Sequence, residues 1–251
     1  MIIYDFSEIL KLLHGNKPVL FMFPFAGGNA YSYRGLIEPL EEYYDIVCTE
    51  LPGRNNSSQY PLDNNLDNLV DFVFKKWIQP VNLERPYILY GHSMGGIMLN
   101  LIARKIMENE RVEPSYLIVS GCAAPSVRRD QDLYKLSSFG FWKELEKKGG
   151  VPDYILENEE YKDYLEPILR NDFEAIETYN YKENRPVNVD MTVMYGTEES
   201  LDQESLVKWQ DETTGELEIL SFPGDHFFLF KNKPVIIEHL KNKAENISQL
   251  I

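Results

Sequence analysis

Gly91-His92-Ser93-Met94-Gly95 sets a serine between two glycines, after the apolar run Tyr87-Ile88-Leu89-Tyr90 and before the amphipathic stretch Met94 to Met107. This is a G-x-S-x-G pattern in a strand–turn–helix context. The glycines admit a sharp turn that raises the serine hydroxyl above a sheet as a nucleophile. The helix that follows would aim its unpaired N-terminal amides at developing negative charge. The plainer alternative is a tight turn in which Ser93 only caps the helix.

A serine hydroxyl needs a base to become nucleophilic. The chain has four histidines. His14 precedes the first core strand, His92 lies inside the turn with its ring expected to point elsewhere, and His239 sits in a terminal helix, where a solvated position is the simpler expectation. His226 follows Phe222-Pro223-Gly224-Asp225 on a loop after the last expected strand. It is the candidate base. In folds that carry this elbow, the chain order is nucleophile, acid, base. The acid is therefore expected after the strand Met191 to Tyr195, where Glu198, Glu199 and Asp202 all qualify by type and place. The tetrahedral oxyanion needs two amide donors. Met94, next to the nucleophile, supplies one. The glycine-bearing loop Pro24-Phe25-Ala26-Gly27-Gly28 is the place for the other.

These residues need a scaffold that brings strand ends together. Val19–Phe23 reads as a short buried strand, and Ile46–Cys48, Tyr87–Tyr90, Leu117–Val119, Met191–Tyr195 and Leu217–Leu220 as further short strands. Between them, helical spacing appears at Asn29–Leu40, Leu66–Ile78 with Asn64 or Asn65 as its cap, Met94–Met107, Gln203–Asp211 and Pro234–Ile247. Alternating strand and helix predicts a mainly parallel sheet with helices on both faces. From 126 to 186 the alternation stops. The segment has helical patches at Phe139–Lys148 and Lys162–Tyr179 and no strand, which predicts a helical lid inserted into a single domain spanning 1–251.

Composition narrows the function classes. Forty Asp and Glu against 25 Lys and Arg give a net charge of -15, a field that repels phosphate backbones and argues against general nucleic-acid binding. Cys48 and Cys122 form no metal or redox spacing, and no metal site is expected. No apolar run approaches the ~18 residues of a membrane span. A cytoplasmic monomer is the expectation.

Taken together, the motifs resemble the external type II thioesterases of nonribosomal peptide and polyketide synthesis, within the α/β-hydrolase superfamily. Phe23-Pro24-Phe25-Ala26-Gly27-Gly28 resembles that family's first-strand loop, Leu51-Pro52-Gly53-Arg54 its "PGR" turn and Gly91-His92-Ser93-Met94-Gly95-Gly96 its elbow. Leu169-Arg170-Asn171-Asp172-Phe173 is similar to its "LRxDF" lid signature. Trp209 with Thr213-Thr214-Gly215 fits the segment before its last strand, and Pro223 to Leu229 its "GGHFFL" box. The motifs run in family order over nearly the whole chain.

The resemblance implies an α/β-hydrolase fold, with Ser93 as nucleophile, His226 as base, the amides of Met94 and of Ala26 (or Phe25) as oxyanion hole and Phe25 at the substrate. It implies hydrolysis of acyl or aminoacyl thioesters on the phosphopantetheine arm of carrier proteins, with no cofactor of the enzyme's own. The family acid is usually an Asp three residues after a Gly. Counting from Gly196, this chain has Glu199 there, which is taken as the acid. Asp225 stands where the family often has Gly and is expected to perturb the His226 loop. Carrier proteins are acidic. Between Ser126 and Gly150 six basic residues, including Arg128, Arg129, Lys143, Lys147 and Lys148, face four acidic ones. A solvated helical face explains this simply; a strip that steers a carrier is the functional alternative. A general carboxylesterase or small-molecule thioester hydrolase on the same fold is the rival.

Overall fold

A computed structural model describes residues 1–81, 83–127, 132–149, 151 and 153–248. The apolar runs form a parallel sheet of β1 (Ile2–Ile3), β2 (Val19–Phe23), β3 (Asp45–Cys48), β4 (Tyr87–His92), β5 (Tyr116–Ser120), β6 (Met191–Gly196) and β7 (Leu217–Phe222). Their spatial order is β1-β3-β2-β4-β5-β6-β7. Every residue of β2 is buried, as a central parallel strand covered on both faces requires. Val19, Phe21 and Phe23 join the core on one face, while Leu20 and Met22 join the core on the other.

The chain leaves β2 for β3 on one side and then crosses to β4 on the other. The switch point of the sheet therefore falls between β2 and β4, where ligands bind in open α/β sheets. Phe23 pairs with Gly91 across this junction. The loop after β2 and the elbow after β4 emerge side by side, so the register itself brings the expected oxyanion loop to the expected nucleophile.

The helices are α1 (Arg34–Ile37), α2 (Leu66–Val73), α3 (Met94–Glu108), α4 (Ser138–Lys148), α5 (Asp153–Leu156), α6 (Glu159–Glu177), α7 (Gln203–Val207), α8 (Phe228–Lys231) and α9 (Lys233–Ser248). Asn65 caps α2 by accepting the Asn68 amide, and Leu66, Leu69, Val70 and Val73 are its buried stripe. A π-helical turn, Phe74–Ile78, continues it and buries Trp77. In α9, Ile236, Leu240, Ala244 and Ile247 face the core. Each buried Ile or Leu here contributes roughly 1.5–3 kcal/mol through burial, and Ala244 less.

Two helices are shorter than their apolar spacing suggested. Asn29–Leu40 is helical only from Arg34, because Asn29 and Ser32 close a turn through side-chain bonds to the Tyr31 and Asn29 amides. Gln203–Asp211 becomes α7 followed by the 3-10 turn Lys208–Glu212. The two- to four-residue elements β1, α5 and α8 are too short to carry a periodic signature, whereas the 3-10 stretch Phe6–His14 is amphipathic, with Ile9 and Leu12 buried, and is absent from the sequence reading. His239 is half-buried against β6 rather than solvated, with Nε2 3.5 Å from Thr192 Oγ1.

β5 and β6 pair directly, Leu117 with Met191 and Ser120 with Met194. The described elements between them are helical: the 3-10 turn Leu133–Lys135, then α4, α5 and α6. Leu133, Phe141, Trp142, Leu145 and Leu169 give this segment a small apolar core of its own. Arg128, Arg129 and Asp130, part of the expected basic strip, lie outside the described residues. Among the described residues, no helix is long and apolar enough to cross a membrane.

Candidate active site

Ser93 follows the last residue of β4 and has φ +55° and ψ -119°, a conformation that costs an L-residue of order 1–3 kcal/mol. Its surroundings over-determine it. The Ser93 amide donates to Ser120 O at 2.7 Å, anchoring the turn to β5. A Cβ on Gly91 would stand 2.1 Å from Gly95 O, and one on Gly95 2.3 Å from Phe23 O. Both positions therefore demand glycine if α3 is to start so close to β2 and β4. The strain lifts the serine hydroxyl into a cavity of about 1110 Å³.

His226 lines the same cavity from the loop after β7. Its Nδ1 stands 2.6 Å from Glu199 Oε1. The Glu199 carboxylate accepts, so Nδ1–H donates and Nε2 is left as the proton acceptor. Glu199 Oε2 accepts the Gly196 amide at 2.7 Å, so the carboxylate folds back onto its own turn. This is how the extra methylene of Glu is absorbed. Glu199 is 5% exposed and His226 24%, a partly dry pair in which one carboxylate holds both ring orientation and tautomer. Ser93 and His226 share the cavity without a hydrogen bond between them among the described residues. Such contacts commonly tighten only when substrate enters.

The other two acids have different work. Asp202 caps α7, accepting the Ser205 amide and hydroxyl at 2.7 Å each, and those bonds hold its carboxyl below its ordinary pKa. Glu198 lines the cavity but makes no bond to His226. Asp225 closes the His226 loop rather than disturbing it: it accepts the Phe227 amide at 3.0 Å and pairs with Lys231 at 2.6 Å. Burial pushes its carboxyl upward, and the Lys231 ammonium and the Phe227 amide outweigh that.

The Met94 and Ala26 amides have no protein acceptor among the described residues, and both residues line the cavity, as does Phe25. Phe25 packs edge-on against Tyr33, His92 and Phe227, which fixes the loop after β2 from below.

Sequence reasoning missed two participants. His92 does not point away. It is fully buried, with Nδ1 3.0 Å from Ser120 Oγ and its ring 4.8 Å from that of His226. Burial holds its imidazole well below the usual pKa, and the neighbouring His226 adds to this, so a neutral ring floors the candidate base. Its place at the end of an alternating strand, next to the nucleophile, is the signal that would have found it. The second is the pair Arg54 and Asp172, visible in sequence only as parts of two separate motifs. No group of three His, Cys, Asp or Glu side chains among the described residues is arranged to hold a metal ion.

The cavity is mostly apolar. Ile97, Val127, Leu133, Leu136, Trp142, Leu145, Leu165, Leu169 and Phe173 line it, drawn largely from the helical segment between β5 and β6. Acyl transfer to Ser93, with an apolar acyl chain in this space, is the chemistry the arrangement can perform.

Comparison with known proteins agrees. Residues 18–244 match the model of the family described as "Thioesterase domain". Gramicidin S biosynthesis protein GrsT of Aneurinibacillus migulanus is 34% identical over 224 residues, 88% of this chain and 86% of GrsT. RedJ, a thioesterase from the prodiginine biosynthetic pathway in Streptomyces coelicolor, superposes with a TM-score of 0.82 over 90% of this chain and 89% of RedJ, at 27% identity. ClbQ, from the colibactin NRPS/PKS pathway, superposes with a TM-score of 0.86 over 94% of this chain and 100% of ClbQ, at 25% identity.

Proposed function

Because the chain belongs to the thioesterase domain family, we propose that it is a type II thioesterase acting in the cytoplasm as a monomer. It hydrolyses aberrant or stalled acyl and aminoacyl groups from the phosphopantetheine arm of carrier proteins in nonribosomal peptide or polyketide synthesis. The observation that carries this reading is the convergence of Ser93, the Glu199–His226 pair and two unpaired amides on one apolar cavity. The pathway assignments of GrsT, RedJ and ClbQ support the carrier-bound substrate.

In this reading Ser93 Oγ attacks the thioester carbonyl while His226 Nε2 takes its proton. Glu199 keeps the resulting imidazolium in place. The Met94 and Ala26 amides hold the tetrahedral oxyanion. Collapse breaks the C–S bond, and His226 returns the proton to the departing thiolate, leaving acyl-Ser93 and free phosphopantetheine. A water then attacks the ester, again giving its proton to His226, and the acid departs as Ser93 is regenerated. Side chains and water suffice; the phosphopantetheine belongs to the carrier. The helices between β5 and β6 act as a lid over the acyl chain within the single domain.

The test is mass spectrometry of an acyl-loaded carrier with wild type and Ser93→Ala. Wild type should return holo-carrier and Ser93→Ala should leave the acyl group in place. Full activity of Ser93→Ala, or a strong preference of wild type for p-nitrophenyl esters over acyl-carrier thioesters, overturns the reading in favour of another mechanism or of a general esterase.

A further inference from the structure

Arg54, from the turn after β3, and Asp172, from α6, form a buried pair, 4% and 0% exposed. Arg54 Nη1 and Nη2 donate to Asp172 Oδ2 and Oδ1 at 2.8 Å each. The pair does not end in itself. Asp172 Oδ2 also accepts the Gly27 amide at 2.7 Å, and Arg54 Nη1 also donates to Gly28 O at 3.0 Å. Gly28 in turn donates to Phe25 O at 2.8 Å, closing the turn that holds Ala26. Gly27 has φ +74°, and a Cβ there would lie 2.3 Å from Leu169 Cδ2. Leu169 and Asp172 are three residues apart on one face of α6. That face clasps the turn by contact on one side and by hydrogen bond on the other.

We propose that Asp172 and Arg54 are positioning residues that hold the turn Phe25–Gly28 so that the Ala26 amide faces the reacting carbonyl. The inference rests on the acyl-serine reading above. A carboxylate and a guanidinium taken out of water cost several kcal/mol each, repaid by good geometry and further hydrogen bonds, which here satisfy both Asp172 oxygens and leave Arg54 Nε without a partner among the described residues. Here the additional bonds fall on the two peptide groups that flank the turn's glycines. The Gly27 amide is committed to α6 and the Gly28 amide to Phe25 O, which leaves the amides of Ala26 and its neighbour Phe25 as the turn's donors for the cavity. A brace that only tied α6 to the sheet could end on side chains of the β3 turn; this one ends on the backbone of the oxyanion loop. It follows that α6, which covers the acyl chain, also sets the electrostatics of the reaction. Cover and catalysis are coupled through one carboxylate.

The experiment compares Asp172→Asn, Arg54→Ala and Arg54→Lys with wild type and a Ser93→Ala control. Three quantities are read: kcat and KM on acetyl-N-acetylcysteamine, affinity for n-butylboronic acid, and the melting temperature. The boronate adds to Ser93 and places an oxygen where the oxyanion forms. Loss of one oxyanion donor costs 10²–10³ in kcat, so a misplaced donor should cost roughly 10- to 100-fold. We expect that fall in kcat with KM within about threefold, a parallel loss of boronate affinity, and partial recovery in Arg54→Lys relative to Arg54→Ala. Folded variants with wild-type kcat and boronate affinity overturn the proposal, as does a rise in KM alone. If Asp172→Asn fails to fold, the two Arg54 variants carry the comparison. If wild type leaves carrier thioesters intact, the proposed function fails, while boronate binding to Ser93 still reads the turn.

Discussion

His226 Nδ1 lies 2.6 Å from Glu199 Oε1, while Glu199 Oε2 accepts the amide of Gly196 at 2.7 Å. One carboxylate thus orients the imidazole and staples its own turn, and the longer side chain is what lets it do both from the end of β6.

Glu199→Gln keeps the size but puts the wrong tautomer on His226. It should lower kcat by roughly 10⁴-fold, as expected where the orienting acid is lost. Glu199→Asp keeps the charge but reaches only one of its two partners, and should fall between wild type and Glu199→Gln. Asp202→Ala removes the cap of α7 and should leave kcat within about twofold, with a small fall in melting temperature. Steady-state rates on one small thioester settle it; a crippled Asp202→Ala beside an unaffected Glu199→Gln would move the acid.

His92 is buried neutral, its pKa held well below the ordinary 6.5 by burial first and by His226 second. On acidification the unfolded chain takes up this proton before the folded one. The contribution of His92 to stability is therefore present above about pH 6.5 and lost as pH falls from there toward the depressed folded value, at up to ~1.4 kcal/mol per pH unit. Urea unfolding of wild type and His92→Gln between pH 7.5 and pH 5 should show a shallower acid slope in the variant. Equal slopes would assign the acid loss to carboxylates instead.

Arg104 in α3 and Glu212 form a buried pair, 4% and 0% exposed, and Asn100 Nδ2 donates to the same Glu212 oxygen at 2.8 Å. Removing one partner strands the other charge away from water. Glu212→Ala should cost about 3–5 kcal/mol, whereas the double change Arg104→Met with Glu212→Leu should cost less than Glu212→Ala alone. Denaturant midpoints of the variants decide between a pair that anchors α3 to the 3-10 turn Lys208–Glu212 and one that adds nothing.

Lys143 and Lys147 are exposed on α4, and Lys147 and Lys148 reach the rim of the cavity, with Lys147 2.6 Å from Glu144. On the carrier-substrate reading proposed above, in a chain of net charge -15, these lysines would offer an acidic carrier local attraction. Reversing all three to Glu should raise KM for acyl-carrier substrate by roughly three- to tenfold and leave acetyl-N-acetylcysteamine unchanged. An equal rise on both substrates would assign the lysines to the cavity rather than to docking.

The strand–turn–helix setting of Ser93, the loop position of His226 and six of the seven strands were legible in the sequence because their signals are local, whereas the order of the strands in the sheet was not. A serine between two glycines, a histidine after a final strand and apolar runs of three to five residues each state their own conformation. Residue type and place left Glu198, Glu199 and Asp202 open, and Glu199 was singled out only through the family's spacing from Gly196. Within one short loop all three are carboxylates, and the path of the loop after β7 is what brings Glu199 to the imidazole. The same holds for His92, whose ring was expected elsewhere and lies beneath His226 because β4 and β7 end at the same edge of the sheet. Arg54 and Asp172 stand 118 residues apart, and no spacing rule links them. Tertiary packing alone brings α6 onto the loop after β2 and makes the two halves of the pair a single device on the backbone of that loop.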